Sequence, residues 1–222
     1  MKREIFITQD HSHSINIIGT NITYHSKYGA IRESKHIYIE AALKQLLNKK
    51  SCINIFEMGF GTGLNALLTL AEAEDSSQKI YYETIEAFPL EKQIFEKLNY
   101  CEQLIRPDLK SSFLKLHNCE WQKEISVNPF FDFKKINTSF QNYIFSKHFD
   151  IIFYDAFAPG AQPELWTTEI FIKLFDALSQ NALLVTYCSK GDTKRAMQAA
   201  GFVVQKLPGP LYKREILRAV KK

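Results

Sequence analysis

Apolar positions along this chain switch repeatedly between helical and strand periods. Ile37, Ala41, Ala42 and Leu46 recur at helical spacing, which predicts a helix over 34–48 with Ser34 as its N-cap. A β-branched run at 51–58 predicts a buried strand that stops at glycines, and Leu64, Leu67, Leu68 and Ala71 then share one helix face. The change repeats at 79–86, a strand followed by Pro89 in the first turn of a helix carrying Ile94, Phe95 and Leu98. Signals weaken from 101 to 148. There 105–109 reads as a turn, two strands flank Asn128-Pro129, the element leading to Asn137 takes the third sheet position, and 134–147 is polar and aromatic enough for a loop. The clearest buried strand, 149–154, precedes a helix at 163–178, a strand at 182–189 and a helix at 193–200 closed by Gly201 at C′. Two last strands, FVVQKL and KREILRAV, are joined by the turn at 208–210.

Such alternation predicts an α/β fold: a mostly parallel, doubly wound, Rossmann-like sheet with an antiparallel last strand. With 222 residues, 45% of them hydrophobic, one domain is expected, residues 1–33 forming an N-terminal extension and 34–222 the core. His11 and His13 read as part of a solvated tail, and no metal site is expected. A net charge of +4 permits an anionic partner without requiring one. Cys52, Cys101, Cys119 and Cys188 are too scattered for a zinc site or a disulfide scaffold. With neither a signal-peptide core nor an apolar run of about 18 residues, a cytoplasmic protein without a membrane partner is expected.

Chemistry concentrates in two stretches. The first, EMGFGTGLN, places Glu57, Gly59, Phe60, Gly61, Thr62, Gly63 and Asn65 across a strand-to-helix turn, where backbone N–H groups and a helix N-terminus can meet a ligand. Gly61-x-Gly63-x-x-Ala66 also satisfies the looser dinucleotide fingerprint, and Glu86, ending the next strand, suits ribose hydroxyls in either case. Glu57 favours S-adenosylmethionine over a nicotinamide dinucleotide, because its charge would repel a pyrophosphate and attract a sulfonium or an ammonium. Asn137 stands where an adenine amino group would find an acceptor.

The second stretch, YDAFAPG, puts Asp155 at the carboxyl end of a strand, where open α/β sheets bind ligands. Methyl transfer to nitrogen needs the amine's lone pair free and aimed in line, and a carboxylate at this edge can orient the amine and take its proton. Phe157 and Pro159 supply an apolar wall beside it.

Taken with IEAFPL, YCSKGDTKRAMQAAGF, LPGPLYKREILRA and KYGAIRESKHIYIEAAL, these motifs resemble the tRNA wobble-uridine aminomethyl methyltransferases, over about residues 24–219. That family comprises the stand-alone MnmD-type enzymes and the methyltransferase half of bifunctional MnmC. The resemblance implies methyl transfer from S-adenosylmethionine to the aminomethyl nitrogen of 5-aminomethyl-(2-thio)uridine in the anticodon loop. It maps the family's strand-end aspartate onto Asp155 and its cofactor residues onto Gly59, Gly61 and Gly63 with Glu57 and Glu86. Asn137 departs from the family's usual Gly-Asp, and no flavin-dependent oxidase domain is expected, since none follows Lys222.

Under this reading Glu33, with Ser34 and His36, closes over the cofactor or target base. Lys190, Lys194 and Arg195, with Lys213, Arg214, Arg218, Lys221 and Lys222, are the phosphate-contact candidates, and Tyr28, Phe157 and Trp166 are possible stacking surfaces. A methyltransferase or aminopropyltransferase for a free small-molecule amine is the alternative, and a non-catalytic RNA-binding protein a further one.

Overall fold

The computed structural model describes residues 2–222. Strands β1 (Arg3–Ile7) and β2 (His13–Ile17) form an antiparallel hairpin of their own. The remaining strands are β3 (Cys52–Met58), β4 (Lys79–Glu86), β5 (Glu124–Asn128), β6 (Phe131–Asn137), β7 (Phe149–Tyr154), β8 (Leu178–Thr186), β9 (Val203–Pro208) and β10 (Glu215–Val220). They build one sheet in the order β5-β6-β4-β3-β7-β8-β10-β9. From β6 to β8 all neighbours are parallel, whereas β5, β10 and β9 each pair antiparallel. The expected fold class is thus met, with one antiparallel edge strand more than foreseen.

Because strand side chains alternate, the sheet buries two different faces. Ile53 and Ile55 pack with Tyr82, Phe133 and Phe153 under helix α2 (Leu64–Ser76). Phe56 and Met58 join Phe149, Ile152 and Tyr154 on the other face, beneath helix α6 (Thr168–Ala177). The chain runs from β3 outward to β4 and β6, then returns to β7 and continues to β8, so direction reverses between β3 and β7. This switch point opens a crevice at the carboxyl ends of the two strands.

Several expected elements are differently built. Helix α1 (Ala30–Ser34) starts four residues before residue 34, passes into a π-helical turn at Lys35–Glu40, and ends in a 3-10 turn at Leu43–Gln45. Ser34 is therefore no N-cap: it lies inside the helical stretch, buried, and Gly29 holds the cap position. Pro89 precedes, rather than opens, helix α3 (Lys92–Phe95), and its carbonyl accepts a bond from Arg3. The weak stretch contains helices α4 (Tyr100–Gln103) and α5 (Lys110–Asn118) as well as the two expected strands. Pro163 to Leu165 form a separate 3-10 turn ahead of α6, and β8 begins as α6 ends, four residues early. Helix α7 (Gly191–Ala199) does close on Gly201, at φ 100°.

His11 and His13 are not in a tail. The β1–β2 hairpin is tied to the core where Arg3 donates to Phe88 O at 2.6 Å and Pro89 O at 3.0 Å. The His13 N–H donates to Asn99 Oδ1 at 2.8 Å. Residues 2–33 thus fold over the carboxyl edge of the sheet and supply part of the site.

Candidate active site

The turn after β3 needs backbone angles that a side chain resists: Gly59, Gly61 and Gly63 have φ of 93°, 51° and 74°. A Cβ on Gly59 would stand 3.3 Å from the carbonyl oxygen of Asp155, so the glycine lets the turn lie against the end of β7. The Gly61 N–H donates to Glu86 Oε2 at 2.9 Å, and the Phe88 N–H holds the other oxygen at 2.8 Å. Across this edge lies a cavity of about 260 Å³ walled by Gly59, Phe60, Gly61, Thr62, Asn65 and Glu86, six of the expected cofactor residues.

The other three expected cofactor residues stand back from it. Gly63 turns the chain into α2, where a Cβ would come within 2.8 Å of His117 Nε2. Asn137 does not face the cavity: its amide donates to Glu86 O at 2.7 Å and ties β6 to β4, leaving Thr138 to Gln141 as the wall. Glu57 is fully buried beneath the turn, and neither carboxyl oxygen has a partner. Burial first, then the charge of Asp155, raises its proton affinity well above that of an ordinary carboxylic acid, and Glu57 lines neither cavity of the site.

The character of the cavity nevertheless suits the expected cofactor. Three carboxylates, Glu86, Asp155 and Glu164, line it, and among the described residues no Lys or Arg does. His25, on the same wall, is pushed down to about 4 by burial and carries no charge at neutral pH. A pyrophosphate would find no counter-charge here, whereas a nucleoside bearing a sulfonium and an ammonium would.

At the junction with a second cavity sits Asp155, half-buried at the end of β7. Its Oδ1 accepts from Tyr38 at 2.6 Å and its Oδ2 from Asn65 Nδ2 at 2.9 Å. Burial pushes Asp155 up to about 7, against the pull of the Tyr38 bond; Glu33 adds to the rise, and Asn65 and Lys213 oppose it. A carboxyl group poised at neutral pH can take a proton from a bound amine.

The second cavity, about 450 Å³, is walled by Glu33, Tyr28, Phe157, Tyr187 and Lys213 among others. Tyr24, His25 and Phe157 belong to both cavities and form the partition between them. Tyr24 meets Phe157 edge-on at 5.2 Å. Phe157 is held in turn by Trp166, whose Nε1 donates to its carbonyl at 2.8 Å; Trp166 is a buried brace and not a stacking surface.

Of the expected substrate residues, Glu33 and Phe157 thus reach the second cavity, while Pro159, Lys190 and Arg214 line neither. Arg195 pairs with Asp192, Arg218 with Gln205 and the Ala41 carbonyl, and Lys221 with the Phe175 and Leu178 carbonyls. Lys213 is the member of the basic group that faces Asp155's cavity. Sequence reasoning passed over Tyr38, Tyr24, His25 and Tyr187. The first is placed by a π turn with no sequence signature, and the others are loop residues more than 30 positions from Asp155.

Residues 89–222 match a family model described as S-adenosyl-L-methionine-dependent methyltransferase. The chain is 29% identical over 195 residues to the tRNA 5-methylaminomethyl-2-thiouridine biosynthesis bifunctional protein MnmC of Campylobacter hominis, covering 84% of this chain and 28% of that protein. It is 32% identical over 183 residues to the protein of the same name from Idiomarina loihiensis, covering 73% and 29%. The chain therefore spans under a third of the length of these curated relatives. Among solved structures it superposes on MnmC2 from Aquifex aeolicus with a TM-score of 0.79 at 21% identity, covering 98% of this chain and 70% of that one. Spermidine synthase from Thermotoga maritima follows the same fold, with a TM-score of 0.57 at 17% identity and coverage of 99% and 69%.

Proposed function

The chain belongs to the S-adenosyl-L-methionine-dependent methyltransferases, and on that premise we propose that it methylates the aminomethyl nitrogen of 5-aminomethyl-(2-thio)uridine at the tRNA wobble position. The product is 5-methylaminomethyl-(2-thio)uridine. The observation that carries this reading is Asp155, a desolvated carboxyl group at the one place where a cation-favouring cavity meets an aromatic one. The names of the curated relatives support the choice of acceptor.

When bound, S-adenosylmethionine supplies a methyl group made electrophilic by its sulfonium. Gly59, Phe60, Gly61, Thr62, Asn65 and Glu86 would hold it directly, with Glu57, Gly63 and Asn137 supporting the turn and the strand ends from behind. Tyr38 and Asn65 fix both oxygens of Asp155, so its free lone pairs point in a set direction. An acceptor ammonium donates one proton to Asp155 and exposes its nitrogen lone pair for attack. Tyr24 and Phe157 give the meeting point an aromatic wall. Glu33 and Phe157 are the substrate-side contacts; Lys190, Arg214 and Pro159 serve only where the RNA spreads beyond the cavity.

The test is transfer of tritium from labelled S-adenosylmethionine into total tRNA from cells lacking the modification, with the nucleoside identified by mass. Label in 5-methylaminomethyl-uridine is expected. Bound cofactor with no label in tRNA would overturn the choice of acceptor and redirect the search to small amines.

A further inference from the structure

We propose that Glu33 and the ring face of Tyr187 form an ammonium-binding subsite beside Asp155, that Lys213 occupies it in the free protein, and that the acceptor's charged aminomethyl group displaces Lys213. This rests on the amine-methylation reading above and deepens it, by assigning how the acceptor's charge is recognised before its proton is removed.

The Lys213 ammonium lies 3.4 Å from Glu33 Oε1 and 4.6 Å from the centroid of the Tyr187 ring. Carboxylate on one side and aromatic face on the other is the environment any primary ammonium seeks. Both partners are built in. Glu33 Oε2 accepts from the Ser26 N–H at 2.9 Å, which leaves Oε1 for the cation. The Tyr187 hydroxyl donates to Ala156 O at 2.9 Å, which fixes the ring next to the residue following Asp155. All of them line the cavity that ends at Asp155.

A lysine side chain ends in the group that the acceptor presents, a methylene carrying an ammonium. Lys213 therefore reports the chemistry of the subsite. Its hold is also loose: 3.4 Å is long for a charge-assisted bond, and the Lys213 side chain keeps 28% of its surface exposed. The backbone of its turn is secured independently, by the Lys213 N–H to Pro210 O at 2.9 Å and the Gly209 N–H to Arg214 O at 3.1 Å. The ammonium can thus leave while the turn stays. At the rim Tyr28 and Tyr212 lie 4.3 Å apart and tilted by 32°, offering a flat acceptor ring a surface to rest on.

Benzylamine, protonated at neutral pH, carries an aminomethyl group on a flat ring, and benzyl alcohol is its uncharged counterpart. Binding of each to the full chain near pH 7 is measured by ligand-observed NMR titration. The wild type is expected to prefer the amine, Lys213→Met to bind the amine about fivefold more tightly, and Glu33→Gln to lose the preference. Lys213→Arg keeps the subsite filled and stays near the wild-type value, and it serves as the folded control should Lys213→Met lose its S-adenosylmethionine binding. Equal affinity for amine and alcohol in the wild type, or no gain in Lys213→Met, overturns the subsite. No RNA enters this experiment, so failure to methylate tRNA and failure of the subsite are separate results.

Discussion

Asp155 holds its proton to about 7 in the folded chain, against 3.8 for a free aspartate. Between these values the folded state binds more protons than the unfolded one, so the stability this group contributes is complete below about pH 4 and is lost as pH rises through about 7. Asp155→Asn should accordingly melt about 2–4 °C above the wild type at pH 8 and level with it near pH 4, as scanning calorimetry would show. The Asn65 amide can serve either partner, because its Oδ1 is free to accept once turned. In single-turnover transfer at saturating cofactor the same variant should lose about 10²- to 10⁴-fold in rate. Tyr38→Phe removes a bond that favours the carboxylate, so the pH at which kcat/KM rises should move upward. Asp155 could be picked out in the sequence because a buried strand delivers it to the ligand edge. Tyr38 could not, since its reach depends on the π turn at Lys35–Glu40.

At the level of elements, the glycine turn is braced from below by a half-buried histidine. His117 stacks on Phe95 at 4.3 Å and meets Phe60 and Phe113 at 4.9 Å each, and its Nε2 donates to Thr62 O at 3.1 Å. Burial pushes this imidazole down to about 3, so it remains a neutral donor across the working range of pH. Gly63→Ala would set a Cβ 2.8 Å from Nε2 and 3.0 Å from Phe60 at a φ of 74°. A loss of about 1–3 kcal/mol in urea unfolding is expected, together with weaker cofactor binding as Thr62 shifts. The turn itself was legible because glycines at alternate positions follow a strand. Its brace was not: α5 repeats its apolar face only at Phe113 and Leu116, too short a pattern to stand out. The β1–β2 hairpin escaped for a related reason. Its strands are five residues each, and its connection closes through Asp10 Oδ1, which accepts from Thr8 Oγ1 and the Ser12 N–H, with no glycine pair to announce it.

Across the whole molecule, the long-range pairing of β3 with β7 brings together a turn and an aspartate about 95 residues apart, and this topology followed from strand-helix alternation alone. An anionic polymer and a small cation respond differently to salt. Filter binding of tRNA should weaken steeply between about 50 and about 200 mM salt, with S-adenosylmethionine affinity almost unmoved; equal sensitivity would speak against a phosphate-tracking surface. Beyond their common partition the two cavities are walled by different segments, the ends of β4 and β6 on one side and the loops at 21–33 and 210–213 on the other. On the proposed function, neither ligand would lie beneath its neighbour. If the proposed acceptor fills the second cavity, spent donor should exchange while the RNA stays seated, so initial-rate kinetics should show a random order, with S-adenosylhomocysteine competing with the donor at every concentration of tRNA.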